Sequence, residues 1–331
     1  MRCRSAIVLV TVLAGSSVGC GTPAPDTARD LPDAQPMRPA EDAAVVPPPN
    51  GFQIVGPSVD VAAHEDATYC YYFHAPNSSD LLIRKWASRS TTGVHDIALY
   101  ATPKDLQRPG TLSADGCGFF ANGLGPVWMY SADDLINEVE LPADDGTGVP
   151  VGQPVAPGQS MFLLMHFVNS TAAPVRAHVE LDAYAYDDTL SVTLAGSFYT
   201  WSDKINLQPG SATSPTTGMV TGSCDVAANA KFYLLSTRTH KQGVHTMVTD
   251  AATTVFDSTS WEHPGKASWP KTPFYTFASG KLTYQCEYVN PNNYQIVSGD
   301  DATRQETCIA VGYYFPAPGG IGAFCLDSTV Y

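Results

Sequence analysis

Val175-Arg176-Ala177-His178-Val179-Glu180-Leu181-Asp182-Ala183-Tyr184-Ala185-Tyr186 sets Val175, Ala177, Val179, Leu181 and Ala183 against Arg176, His178, Glu180 and Asp182 at alternate positions. A period of two makes a strand with one buried and one wet face. Working outward, residues 68–73, 81–86, 94–100, 161–167, 231–237, 282–289 and 308–315 are short runs rich in aromatic or β-branched side chains. Turn clusters such as Pro76-Asn77-Ser78-Ser79 and Pro157-Gly158 separate them, and no long amphipathic helical pattern interrupts. The expected class is all-β, with antiparallel sandwiches. A division near Asp187-Asp188 gives two of them, residues 52–187 and 188–331.

The beginning of the chain reads differently. Arg2 and Arg4 precede an apolar run over residues 6–14, long enough for a signal peptide and too short to span a bilayer. Ser17-Val18-Gly19-Cys20 looks like a lipoprotein processing site, with Ser17 where an aliphatic residue is usual, so residues 1–20 are expected to end at a lipid-modified Cys20. Simple cleavage nearby is the alternative. Residues 21–51 hold proline after proline, from Pro23 to Pro49, and read as a semi-extended linker. The expectation is an exported, membrane-anchored lipoprotein of the outer membrane, periplasm or cell surface. A net charge of -14 with 18 Lys+Arg and no basic run excludes nucleic acid as a partner and leaves Cys20 as the membrane attachment.

Four segments then follow in order: Val94-His95-Asp96-Ile97-Ala98-Leu99-Tyr100, Leu164-Met165-His166-Phe167-Val168-Asn169, Leu235-Ser236-Thr237-Arg238-Thr239-His240-Lys241-Gln242-Gly243 and Glu306-Thr307-Cys308. They resemble the Val-His-His motif, the later x-His-Tyr strand, the His-Thr-His-x-x-Gly strand and the Glu-Met-Cys segment of the copper type II ascorbate-dependent monooxygenases. Phe256-Asp257-Ser258 through Trp261-Glu262-His263-Pro264, and Gln285-Cys286-Glu287-Tyr288-Val289-Asn290, are similar to other parts of that family's second domain. The resemblance covers most of residues 52–325. Each motif alone is weak; their order carries the weight.

With Cys3 in the signal and Cys20 assigned to lipid, six cysteines remain, and an even number in an exported chain implies disulfides of undetermined pairing. The resemblance implies Cys70–Cys117, Cys224–Cys325 and Cys286–Cys308. It also implies two coppers: one held by three histidines to store an electron, one held by two histidines and a methionine to activate oxygen. Imidazole serves both copper oxidation states and a thioether favours Cu(I). At the electron-storing position this chain keeps His95 and His166 but has Asp96 for the middle histidine, a harder donor that disfavours the reduced ion. At the oxygen-activating position only His240 remains, with Arg238 and Thr307 replacing histidine and methionine. Arg238 keeps its proton and offers no lone pair. At most one copper per chain is therefore expected. His95 as a strand-edge residue and His166 as a satisfied core residue are the plain alternatives.

His245 lies an odd number of positions beyond His240 and is expected on the opposite strand face unless the Gly243 region bulges. His64, His74 and His263 are expected on the surface or in loops. Ser236, Ile309 and Val311 are the nearest counterparts of the residues with which peptide-amidating members read a peptide carboxylate, so a glycine-extended peptide is not an expected substrate. Asp144-Asp145 and Asp300-Asp301 read as solvated turns. Asn77-Ser78-Ser79 and Asn169-Ser170-Thr171 match glycan acceptor patterns, usually incidental in a chain with a lipoprotein-like start. Two functions follow. One is a divergent, copper-dependent monooxygenase using an ascorbate-like reductant and incorporating one oxygen atom. The other is a non-catalytic surface module that binds a small molecule or protein.

Overall fold

The computed structural model describes residues 46–331 apart from 115, 116, 118–125, 188 and 189. The signal segment, Cys20, most of the proline linker and Asp188 lie outside the described residues. Gly51–Val55 is already a strand, so the folded part begins at the last residue assigned to the linker.

Among the described residues there is no α-helix, and strands stack in sheets. Residues up to Ala185 build one pair. One sheet runs Gly51–Val55, Val179–Ala185, Leu81–Ser90, Val151–Val155, with Ile136–Glu140 also on Leu81–Ser90. The other runs Leu112–Ser113, Asp66–His74, Ser160–Val168, Val94–Ala101, Val127–Ala132. Trp86, Leu163, Phe167 and Leu181 fill the space between them. Residues from Gly196 onward build a second group. Lys231–Arg238, Ile309–Phe315, Gly196–Trp201 and Ala323–Leu326 form its inner sheet, and Thr216–Asp225, Lys281–Asn290, Gly243–Asp250 and Thr253–Ser258 its outer one. The short strand Thr193–Leu194 returns to pair in parallel with Val151 and Gly152. The fold is thus all-β sandwich, braced by Cys70–Cys117, Cys224–Cys325 and Cys286–Cys308. Such bridges belong to a protein that matures in an oxidising compartment. No helix among the described residues is long and apolar enough to cross a membrane.

The two groups of sheets share apolar surface. Tyr199, Val311, Tyr313 and Phe315 from the second pack into the same buried cluster as Tyr100 and Trp128 from the first, and the Tyr199 hydroxyl donates to the Pro126 carbonyl at 3.0 Å.

The stretch that announced the fold departs from expectation in two ways. It is two strands, Val175–Ala177 and Val179–Ala185, because the backbone at His178 bonds to Thr91 and the flanks join different sheets. Asp182 is also not on a wet face: it is fully buried, accepting from Gln53 Nε2 at 2.8 Å and Arg89 Nη2 at 2.7 Å. A carboxylate tolerates burial when its charge is matched and its oxygens are hydrogen-bonded.

Candidate functional site

Val94–Ala101 and Ser160–Val168 lie side by side, with Asp96 directly opposite His166. Alternation would send His95 to the other face. The register instead shifts between His166 and Phe167, whose partners are Asp96 and Val94, so His95 is the extra residue of a β-bulge. The bulge brings both neighbours to one cavity: His95 Nδ1 lies 3.1 Å and His166 Nδ1 3.2 Å from Asp96 Oδ2. His166 Nε2 is 2.8 Å from Asp66 Oδ1.

Arg238 reaches this cluster from the second group of sheets, at the end of Lys231–Arg238, with Nη1 2.7 Å from Asp96 Oδ1. Its guanidinium also lies over the Trp128 ring, 5.7 Å from the centroid. Both oxygens of Asp96 are therefore engaged. Burial opposes ionisation of Asp96, but Arg238 and the two imidazoles hold its carboxyl well below the usual range. Burial also pulls His166 downward, yet its bonds to Asp66 and Asp96 prevail and raise it to about 9. At neutral pH His166 is an imidazolium with both nitrogens donating.

His240 stands two residues beyond Arg238 at the start of a turn closed by Gly243, where any side chain would collide with Thr239. Glu306, fully buried, accepts from the His240 backbone N–H at 2.9 Å and the Gln242 N–H at 2.8 Å. Burial lifts its carboxyl to about 7 against the pull of those donors. His240 Nδ1 donates to the Gln305 carbonyl at 2.9 Å, and burial lowers the ring to about 4, leaving it neutral. Thr307 is buried beside it.

All four motif segments line one cavity of about 80 Å³, to which His95, Asp96, His166, Arg238, His240 and Thr307 contribute. The sequence reading missed its aromatic walls, Trp128, Trp201 and Trp261. Trp261 stacks on His95 with centroids 4.9 Å apart and planes at 14°. Asp300, expected in a solvated turn, lines the cavity too. Its counterpart Asp145 is buried, bonded to Thr147 and Thr193. The strand does bulge at Gly243, but His245 turns to Asp257 and Glu287, at 2.9 and 3.2 Å, rather than to the cavity. His64, His74 and His263 are exposed. Asn169 is buried, its Nδ2 donating to Val61, Ala62 and Ala173 carbonyls, so it is no glycan acceptor.

The donors at hand do not fit a redox pair of coppers. The oxygen-activating position offers one imidazole, a guanidinium and a hydroxyl, and a guanidinium has no lone pair to give. His95, Asp96 and His166 are the one group among the described residues whose ligand atoms all fall within 4.8 Å of one another. There an incoming ion must displace the proton of His166 and share Asp96 with Arg238.

No family model and no curated protein matches the sequence. Among solved structures the chain is similar to the major capsid protein P2 of bacteriophage PM2, at TM-score 0.30 and 7% identity, covering 80% of this chain and 97% of that one. It is also similar to the PBSX exported protein XepA, at TM-score 0.20 and 11% identity, covering 81% and 89%. Scores this low assign no function.

Proposed function

We propose that this chain is a non-catalytic binding protein on a copper-monooxygenase-like pair of sandwiches, exported and held at a membrane surface by lipid on Cys20. The observation that carries the reading is the Asp96–Arg238 ion pair at 2.7 Å. Its two members stand at both positions where the resemblance calls for a histidine ligand next to a retained one. A fixed positive charge repels a cupric ion, and Thr307 offers a hard hydroxyl in place of a soft sulfur. What is left is a partly open cavity of about 80 Å³ lined by charged and aromatic side chains.

The test is a copper count on the mature chain, loaded with Cu(II) and desalted, followed by anaerobic ascorbate. No retained copper supports the proposal. Two ions per chain, or oxygen consumption driven by ascorbate, overturns it. The clustering of donor atoms favours a second reading, a single ion held by His95, Asp96 and His166. One ion per chain, lost in His166→Ala, would select that reading. The mass of the mature amino terminus, with and without Cys20→Ala, tests the anchor.

A further inference from the structure

We infer that residues 259–264 form a lid over the cavity, hinged after Ser258 and at Gly265, with Trp261 as the catch that closes it. The inference rests on the cavity being the binding site, as read above, and adds how its contents enter.

Residues 259–266 leave the outer sheet of the second group at Ser258 and return to its inner sheet at Ala267, which pairs with Leu235. On the way they cross to the first group. Among the described residues their backbone makes no hydrogen bond to other backbone. The Ser260 and His263 N–H groups donate to the Ser258 and Ser260 hydroxyls at 3.2 and 3.0 Å, bonds that fold the segment on itself. Its far end is held by Ser236, whose hydroxyl donates to the Gly265 carbonyl at 2.6 Å. Gly265 has φ +73°, a left-handed conformation that glycine adopts without penalty, and no atom lies within 4 Å of where a Cβ would stand. That position is an unobstructed pivot.

Three side chains reach the first group. Trp261 stacks on His95, His263 Nδ1 lies 3.9 Å from Asp134 Oδ1, and Lys266 Nζ donates to Asn137 Oδ1 at 3.3 Å. The last two contacts are exposed, and exposed polar pairs hold little against water. The ring contact is thus the main tie. The segment also walls more than one space: Trp261, Glu262 and Pro264 line the cavity of about 80 Å³, while His263, Pro264 and Lys266 line a neighbour of about 120 Å³ that shares Asp133 and Arg238 with it. A stretch with few buried contacts and no backbone ladder opens more readily than the sheets beneath it. His95 Nε2 is buried in the closed form, so its exposure reports opening.

The test is the rate at which diethyl pyrocarbonate modifies His95 in the mature chain, located by peptide mass, with exposed His64 as the internal standard. Asp134→Cys with His263→Cys, both at exposed positions, lets the segment be tied down by a disulfide or a short thiol cross-linker. The cross-linked protein should react at His95 roughly tenfold more slowly than the same protein with its thiols capped. Trp261→Ala, which removes the ring tie, should speed the reaction about tenfold. Gly265→Ala, which penalises the closed backbone without meeting any neighbouring atom, should speed it as well. Equal rates in the cross-linked and capped proteins, native His95 reacting as fast as His64, or no change in Trp261→Ala overturns the inference. Two coppers per chain would instead remove the underlying binding-protein reading and leave these rates as they are, so the two failures are distinguishable.

Discussion

Asp96 and Arg238 meet at 2.7 Å where the first group of sheets faces the second, and each is the other's principal counter-charge. Arg238 without Asp96 would lose its ion-pair partner, and Asp96 without Arg238 would be a buried carboxylate facing two imidazoles only.

Removing either member should therefore cost more than removing both. Arg238→Met leaves Asp96 buried with one oxygen unanswered and is expected to lower unfolding free energy by about 3 kcal/mol. Asp96→Asn combined with Arg238→Met should recover at least 1 kcal/mol of that. Urea denaturation of the four proteins measures the coupling; strict additivity would show that the contact contributes nothing.

The His166 imidazolium gives stability a definite pH dependence. Its folded value, about 9, lies above the 6.5 of an unperturbed histidine. Its contribution is thus fully present below about pH 6.5 and is lost as pH rises through 9. Melting temperature should fall across that window in the native chain and more shallowly in His166→Gln. An imidazole NMR titration with a midpoint near 6.5 would contradict the charged assignment.

Much of the fold was legible because alternation and aromatic runs report burial directly, and the strands around Tyr72, Tyr100, Phe162 and Tyr284 lie where those runs predicted them. The site was legible only in part. Period two cannot foresee a bulge, so nothing local announced that His95 and Asp96 share a face. Asp182 looked solvent-facing because its partner Arg89 comes from a neighbouring strand. Trp261 sits in a loop, where no periodicity marks what a side chain covers. One signal was available: the two departures from the histidine pattern, Asp96 and Arg238, carry opposite charge. Opposite charges at two such positions are compatible with the direct contact the structure shows.

The disulfides should rank by the chain they enclose. Cys224–Cys325 spans 101 positions, Cys70–Cys117 spans 47 and Cys286–Cys308 spans 22. In the chain-entropy account their loss costs about 4.7, 4 and 3.4 kcal/mol in that order. Paired Cys→Ala variants in guanidinium give the ranking, and the smallest loop proving most costly would place the effect in packing around buried Cys286 and Cys308 instead.

Glu306 holds the turn that carries His240, and the chemistry of its replacement separates charge from hydrogen bonding. Its burial keeps the carboxyl near 7, so the folded chain binds a proton there between about pH 4.5 and 7 that the unfolded chain releases. This group therefore favours folding most below pH 4.5 and least above 7, opposite in direction to an ordinary paired carboxylate. Glu306→Gln retains an acceptor oxygen for part of the His240 and Gln242 N–H set and should abolish that pH term with a loss of about 1 kcal/mol. Glu306→Ala leaves those donors dry and should lose about 2–4 kcal/mol. Unfolding curves at pH 4.5, 6 and 7.5 read both effects. A native chain whose stability rises steadily over that interval, with no difference from Glu306→Gln, would mean that the backbone donors, and not burial, set the charge of Glu306.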